Sequence, residues 1–227
     1  YFQVITAGEL VEEFEHQMRK ELDFVQEFLS IKRFRETYHD GTSVVVPSTY
    51  DEYTSRDLLV MEYIHGKKVS EVIEEDDPRF DTRKINRNNA DFIMYQLFIH
   101  GYFHADPHPG NFLILEGNVI SYIDYGMVYS LRPYELENFN YMMLGLARQD
   151  PALLARSLLR MGRAEGKVSM EQFEAVVHDY IETHLDRPLE YIDVSMALIT
   201  LLQIVVRFGI HLPARFIYVA KVIGILQ

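Results

Sequence analysis

Two carboxylates and one amide stand close together in the middle of the chain. Asp106 is followed five residues later by Asn111, and Asp124 comes directly before Tyr125 and Gly126. Carboxylate and amide oxygens are the ligands that Mg²⁺ prefers, and proteins usually hold this ion with one or two such groups together with substrate phosphates. Asn111 and Asp124 are therefore candidate metal ligands, which leaves Asp106 to hold or deprotonate a nucleophile.

The segment between these residues predicts a β-hairpin. Two short apolar runs, 112–115 and 119–123, flank a Glu-Gly-Asn sequence, and apolar runs around a Gly-Asn turn are typical of hairpins. Such a hairpin places Asn111 at the start of one strand and Asp124 at the end of the next. The two side chains can then share one ion.

These residues resemble the catalytic loop and metal-binding motif of protein kinases. His-Ala-Asp with Asn111 is similar to His-Arg-Asp-x-x-x-x-Asn, and Asp-Tyr-Gly at 124–126 is similar to Asp-Phe-Gly. The whole loop at 104–111, His-Ala-Asp-Pro-His-Pro-Gly-Asn, resembles the signature of the UbiB family, atypical kinase-like proteins linked to ubiquinone biosynthesis. The resemblance implies ATP and Mg²⁺ as cofactors and Asp106 as the catalytic residue.

Helical periodicity over 8–38 contains further candidate residues. Glu27 falls where kinases carry the glutamate of helix C, which pairs with a strand lysine that holds the ATP phosphates. Glu21 and Asp23 resemble a Glu-x-Asp motif of the UbiB family. Taken alone, all three positions are better interpreted as solvated helix carboxylates; the downstream motif reverses that balance.

A pair of strands is predicted next, with 43–47 and 57–64 joined through a turn at 54–56. The second ends in Met-Glu-Tyr-Ile, which resembles a kinase hinge. In that interpretation the backbone carbonyl of Glu62 and the amide of Ile64 meet adenine, and Met61 lies at the back of the pocket. A plain apolar strand that leaves the sheet explains the same residues equally well.

The rest of the chain is predominantly helical in its periodicity. Helices are predicted over 69–75, 81–87 continuing through 90–103, 133–148, 151–162, 169–184, 188–208 and 213–226. The expected fold class is α+β, predominantly α, with a kinase-like large lobe over 65–227 and an incomplete small lobe over 4–64. Residues 1–3 resemble the remnant of a protease-cleavable tag.

The stretch 194–210 is the most apolar of the chain, but Gln203 and Arg207 interrupt it. It falls short of the about 20 residues that a membrane-spanning helix requires. We interpret it as a buried core helix, with a transmembrane helix as the alternative.

Three histidines, His100, His104 and His108, recur every four residues, as metal ligands on a helix would. Gly101 and two prolines disfavour one continuous helix across them. We therefore expect His104 to brace the loop from the core side and His108 to face phosphates or solvent.

Composition limits the partners. The net charge is −12 and the pI about 5.2, which disfavours a nucleic-acid partner and simple adhesion to anionic lipid. The absence of cysteine excludes disulfides, thiolate nucleophiles and cysteine-based zinc sites. Only Met127–Arg132 separates Asp-Tyr-Gly from the next helix start, so the long segment that seats a peptide is missing and no peptide substrate is expected.

Three functions remain open on this evidence. The first is a UbiB-like domain, located in the cytoplasm or peripherally at a membrane, that acts as an ATPase or on a small isoprenoid lipid in quinone metabolism. The second is a phosphotransferase of the aminoglycoside or choline kinase type, which has a similar loop. The third is a non-catalytic scaffold that senses nucleotide and presents a lipid. Glu-Leu-Asp-Phe at 21–24 and Ala-Asp-Pro at 105–107 favour the first.

Parts of the UbiB pattern are missing from these residues: the Lys-x-Gly-Gln segment, the Ala-rich nucleotide loop and the strand lysine. Lys20 lies on the same predicted helix as Glu27 and cannot replace a strand lysine. We therefore expect the chain to fold without appreciable ATP turnover, with Glu27 solvated or paired with a substitute cation.

Overall fold

The structure is a computed structural model that describes residues 23–185 and 194–226. These residues are mostly helical with a few short strands, as expected of an α+β fold dominated by helices. They divide into two compact units: a site unit, which runs to Gln96 and includes Phe103–Tyr129, and a helical unit, which comprises Leu97–Tyr102 and the residues from Ser130 onward. The predicted lobe boundary at residue 64 stays a prediction.

The elements are named in chain order. The helices of the described residues are α1 (Phe24–Tyr38), α2 (Val69–Glu75), α3 (Thr82–Tyr95), α4 (Pro133–Arg148), α5 (Pro151–Met161), α6 (Met170–His184), α7 (Val194–Arg207) and α8 (Arg215–Ile225). The strands are β1 (Lys67–Lys68), β2 (Tyr102–His104), β3 (Phe112–Leu115), β4 (Val119–Tyr122), β5 (Val128–Ser130), β6 (Arg163–Ala164) and β7 (Ile210–His211).

The predicted hairpin is confirmed. β3 pairs antiparallel with β4, with Phe112 opposite Tyr122 and Leu115 opposite Val119. The turn contains Gly117, whose φ of 78° lies in the left-handed region that favours glycine. β1 pairs with β3, so the order of this sheet is β1-β3-β4.

The predicted pairing of 43–47 with 57–64 is wrong, because the first segment pairs with β4 instead. Ile120 of β4 donates its backbone N–H to the carbonyl of Ser43 and accepts from the N–H of Val45, each at 2.9 Å. Buried backbone groups need partners, and the open edge of β4 supplies them. The second segment, 57–64, pairs with residues just beyond the first segment, where Thr49 forms an antiparallel β-bridge with Met61.

The predicted single helix over 8–38 is wrong at Asp23, which caps the start of α1 and is not itself helical. The backbone of Asp23 has φ −131° and ψ 89°, and its side chain accepts a hydrogen bond from the N–H of Val25 at 3.1 Å. Aspartate favours this capping arrangement over a helix interior because its short side chain competes for backbone donors. Residues 8–22, with Glu21 and Lys20, lie outside the described residues.

The helix predicted through residue 103 ends earlier. After α3, Gln96–His100 form one π-helical turn, and Gly101 then takes φ 62°, from which the chain enters β2. Glycine adopts this conformation without the penalty that a Cβ imposes, so the helix stops there. His104 thus lies on a strand that leads into the loop.

The helical unit has an apolar core between consecutive helices. α4 packs on α5, α5 on α6, and α7 on α8. α7 buries Leu198, Leu201 and Val205, as the core-helix interpretation predicts. Within the ranges 23–185 and 194–226, no helix has both the length and the apolar character that crossing a membrane demands.

Candidate nucleotide and metal site

The buried imidazole of His104 joins the two carboxylate-bearing motifs of the site unit. Its Nδ1 accepts a hydrogen bond from the backbone N–H of Asp106 at 3.0 Å, and its Nε2 lies 2.6 Å from the backbone carbonyl oxygen of Asp124. Because Nδ1 accepts, the proton resides on Nε2 and is donated to Asp124. Burial lowers the pKa of His104, which keeps the imidazole neutral. The predicted bracing from the core is confirmed.

Asn111 closes the loop that carries Asp106. Its Nδ2 donates to the Asp106 backbone carbonyl at 3.0 Å and reaches the carboxylate Oδ2 at 3.4 Å. Its own backbone carbonyl accepts from the N–H of Ile123 at 2.9 Å, which continues the hairpin pairing toward Asp124. Asn111 Oδ1 has no hydrogen-bond partner among the described residues, so this oxygen is available to a metal ion.

Asp124 is exposed at the end of the hairpin. One carboxylate oxygen, Oδ1, accepts from the backbone N–H of Gly126 at 2.9 Å, which orients the side chain. Its other oxygen has no hydrogen-bond partner within 23–185 and 194–226. The donor set of Asn111 and Asp124 thus consists of hard oxygen atoms, the type that Mg²⁺ binds.

Asp106 is partly buried and lies beside His108. The His108 Nε2 is 3.5 Å from Asp106 Oδ2, and the His108 Nδ1 accepts from the backbone N–H of Gly110 at 3.0 Å. His108 is half-exposed, as predicted for a residue facing phosphates or solvent. The alternative of a three-histidine metal site is wrong, because both ring nitrogens of His104 are already engaged.

Glu27 contacts the Asp-Tyr-Gly motif itself. Its Oε1 accepts a hydrogen bond from the backbone N–H of Tyr125 at 3.0 Å. The substitute cation expected for Glu27 is not found in the described part of the chain: the partly buried carboxylate has this backbone partner and no ion pair. Burial raises the pKa of Glu27, with the Tyr125 N–H acting against this and the charge of Asp124 adding to it.

The residues predicted to contact adenine, Met61, Glu62 and Ile64, lie on a segment that is hydrogen-bonded to Ser48. Glu62 donates its backbone N–H to the Ser48 carbonyl at 2.8 Å and accepts the Ser48 N–H at Oε2, at 3.0 Å. Ile64 is buried, and Met61 faces Thr49. The Glu62 carbonyl and the Ile64 N–H have no hydrogen-bond partner among the described residues, so both remain open to a ligand.

Gln96 is a positioning residue that sequence reasoning missed. Its Oε1 accepts the backbone N–H of His104 at 2.8 Å, and the side chain is buried. A glutamine on the apolar face of a helix is the signal that would have drawn attention to it, since buried amides require partners. Its place at the start of a π-turn also fits the tendency of such turns to lie near functional sites.

Comparison with known proteins places these motifs in a family context. The family model of the ABC1 atypical kinase-like domain matches residues 1–158. An uncharacterized aarF domain-containing protein kinase of Arabidopsis thaliana, described as chloroplastic, is 28% identical over 218 residues, 96% of this chain and 30% of that protein. The protein ACTIVITY OF BC1 COMPLEX KINASE 8 of Arabidopsis thaliana is 32% identical over 145 residues, 63% of this chain and 19% of that protein.

A solved structure shows the same fold. The complex of Rv3197 with erythromycin from Mycobacterium tuberculosis matches with a TM-score of 0.58 and 22% identity, over 96% of this chain and 56% of that one. The chain spans about a third of the length of the Arabidopsis thaliana kinase matched over 96% of its residues.

Proposed function

The chain belongs to the ABC1 atypical kinase-like family, and from that premise we propose that its site unit binds Mg-ATP. The proposed chemistry is ATP hydrolysis or phosphoryl transfer to a small isoprenoid lipid, in support of quinone metabolism. The observation that carries the proposal is the pair of hydrogen bonds through which His104 holds Asp106 and Asp124 together. That pairing matches the positions of catalytic and metal-binding carboxylates in kinases.

The oxygen donors of the site fit the ion. Asn111 Oδ1 and the Asp124 carboxylate would hold Mg²⁺, and they are hard ligands of the correct type. When bound, the ion neutralises phosphate charge and orients the phosphates for in-line transfer. Gly126 orients Asp124 through its N–H, and Asn111 fixes the backbone of Asp106.

Asp106 is proposed to orient and deprotonate the attacking hydroxyl or water. Its backbone is held by His104 and Asn111, so the carboxylate has little freedom to move. Proton removal by a positioned carboxylate contributes about 10²–10⁴ in rate. The adenine ring would meet the open Glu62 carbonyl and Ile64 N–H, with Met61 behind it.

The acceptor is proposed to be small. Only six residues separate Asp-Tyr-Gly from α4, and they include β5, so this connection is too short to form the extended segment on which a peptide could lie. The proposed location is the cytoplasm or the surface of a membrane. Turnover is expected to be slow, because Glu27 has no cation partner among the described residues and preorganised charge supplies much of the rate.

The test is calorimetric titration of ATP in the presence and absence of Mg²⁺. We expect Asp124→Ala to abolish the Mg²⁺-dependent part of binding, because phosphate charge would otherwise lie against an acidic cleft. Glu116→Gln is the matched control, since Glu116 is an exposed carboxylate in the turn of the same hairpin. Unchanged Mg-ATP affinity in the Asp124 variant would overturn the assignment.

A second candidate is a phosphotransferase that acts on a small polar molecule. The fold likeness to a protein solved with erythromycin is the observation that favours testing it. Phosphate incorporation measured with a macrolide and with an isoprenoid alcohol would separate the two acceptor classes. Incorporation into the macrolide alone would favour this second function.

A further inference from the structure

A pocket of about 390 Å³ opens on the site unit away from the residues assigned to nucleotide and metal. It lies between the C-terminal end of α1, the loop that follows it, and the C-terminal half of α3. Its volume falls within the range of about 300–1,000 Å³ that is typical of small-molecule sites. The proposed function gives it no role.

Aromatic rings form the apolar part of this pocket. Tyr38 and Phe92 are buried, and their rings meet edge-to-face with centroids 5.5 Å apart. Tyr95 stands at the rim, 49% exposed, with its ring centroid 6.2 Å from that of Tyr38. The negative faces of such rings attract cations, most strongly where water is partly excluded.

Carboxylates form the charged part. Asp91 of α3 and Asp40 of the loop both line the pocket, and no lysine or arginine is among the described residues that line it. Asp91 has no hydrogen bond or ion pair in the described part of the chain. Arg87, one turn earlier on α3, forms no ion pair with Asp91 among the described residues.

Asp40 remains charged at neutral pH, and backbone N–H groups hold its carboxylate in place. Its Oδ1 accepts the backbone N–H groups of Thr42, Ser43 and Val44 at 2.7, 2.7 and 3.0 Å. Partial burial raises the pKa of Asp40, but these three donors outweigh it and hold the pKa below its usual range. The Thr42 side chain also hydrogen-bonds to this carboxylate and lowers its pKa further. The neighbouring His39 accepts the Val46 N–H at Nδ1, at 3.1 Å.

We propose that this pocket binds a small organic cation, an ammonium group that carries methyl or methylene substituents. Asp91 and Asp40 meet its charge, while Tyr38, Phe92 and Tyr95 cover its hydrocarbon. A bare metal ion fits less well, because among the described residues Asp40 and Asp91 do not belong to a group of three or more His, Cys, Asp or Glu side chains whose ligand atoms lie close enough to share an ion. The net charge of −12 adds a long-range field that attracts cations.

The test is a chemical-shift titration of the complete 227-residue chain with choline, beside its uncharged tert-butyl analogue. We expect choline to shift the resonances of Val44, Phe92 and Tyr95, and the uncharged analogue to bind at least several-fold more weakly. Asp91→Asn and Tyr95→Ala should each weaken choline binding by roughly 3-fold to 10-fold, in line with one exposed cation–π or charge contact. Neither change removes a buried group, because both side chains are exposed.

Asp57→Asn is the matched control, an exposed carboxylate of the same unit that does not line the pocket. It should leave choline affinity unchanged. Equal binding of the charged and uncharged probes, or an Asp91→Asn variant that binds like wild type, would overturn the proposal. Nucleotide binding plays no part in this experiment, so its outcome is independent of the proposed function.

Discussion

The carboxylate of Glu27 in α1 accepts a hydrogen bond from the backbone N–H of Tyr125, with 3.0 Å between Oε1 and the nitrogen. Tyr125 lies between Asp124 and Gly126, so α1 fixes the backbone beside the proposed metal ligand. The ring of Tyr125 also packs against Phe34 of α1, with centroids 5.0 Å apart. A polar and an aromatic contact therefore position the same residue from one helix.

Replacing Glu27 tests this contact. Glu27→Gln keeps an oxygen acceptor for the Tyr125 N–H and removes a charge that burial disfavours, so we expect the variant to be at least as stable as wild type at pH 7. Glu27→Ala removes the acceptor and should lower the free energy of unfolding by about 1 kcal/mol. Urea unfolding measures both. A glutamine variant as unstable as the alanine variant would contradict the assigned contact.

The pH dependence of the same variants has a definite sign. Burial raises the pKa of Glu27 above its ordinary value of 4.5. A group with a higher pKa in the folded state contributes stability that is complete below its unfolded pKa and is lost as the pH rises through its folded pKa. Glu27→Gln should therefore gain stability relative to wild type as the pH is raised from about 4 to 7. A constant difference over this interval would show that burial does not perturb Glu27.

Asp106→Asn should separate binding from chemistry. The asparagine keeps the shape of the side chain and an oxygen that can meet Asn111, so we expect Mg-ATP affinity to stay unchanged. Single-turnover phosphate release, which we expect to be slow already in the unaltered chain, should fall by a further factor of about 10² or more, because an amide cannot take up a proton. Equal loss of binding and turnover would instead indicate a structural role for Asp106.

Local sequence signals predicted the hairpin but not the partner of residues 43–47. The β3–β4 turn depends on residues adjacent in the chain, among them Gly117, and such turn chemistry is visible in sequence. The pairing of Val45 with Ile120 joins segments far apart in sequence, and one apolar run matches another equally well. Register and partner choice in such short segments are decided by tertiary packing.

In the candidate site, too, contacts between residues close in sequence could be predicted, and contacts between distant residues could not. His104, Asp106 and Asn111 lie within eight consecutive residues, so their mutual contacts could be predicted from spacing. The Glu27 partner could not, because the sequence resemblance implied a lysine and the structure supplies a backbone N–H of Tyr125. Backbone donors leave no side-chain signal.

Gly145 on α4 allows the close approach of α5. A Cβ at this position would lie 2.9 Å from the backbone nitrogen of Leu154 and 3.1 Å from its Cα, and backbone atoms cannot move aside cheaply. We expect Gly145→Ala to lower the free energy of unfolding by about 1–3 kcal/mol, the usual range for overpacking. Thermal and urea unfolding measure the change.

Gly166→Ala is the matched control for this overpacking, because a Cβ there meets no atom within 4 Å. It should leave stability nearly unchanged. If both alanine variants were equally stable, close packing at Gly145 would not be the reason for glycine there.

A buried ion pair joins the starts of α4 and α8. Glu135 is 1% exposed, and its Oε2 lies 3.2 Å from an Nη1 of Arg215 while it also accepts the backbone N–H of Arg132 at 2.7 Å. Arg215→Met keeps most of the apolar stem but leaves a buried carboxylate without its cation. We expect the free energy of unfolding to fall by about 2–3 kcal/mol. This lies at the lower end for a broken buried ion pair, because Arg215 is partly exposed.

The decisive comparison adds Glu135→Gln to Arg215→Met. The glutamine can still accept from the Arg132 N–H, but it carries no charge, so the desolvation penalty exposed by the loss of Arg215 disappears. The double variant should therefore be more stable than Arg215→Met alone, with a coupling energy of about 1–2 kcal/mol. The ion-pair assignment would be contradicted if the losses of stability in the two single variants simply added. Arg215 would then stabilise the fold through packing of its stem or through its contact with the Ser130 carbonyl. The charge of Glu135 would be satisfied without Arg215.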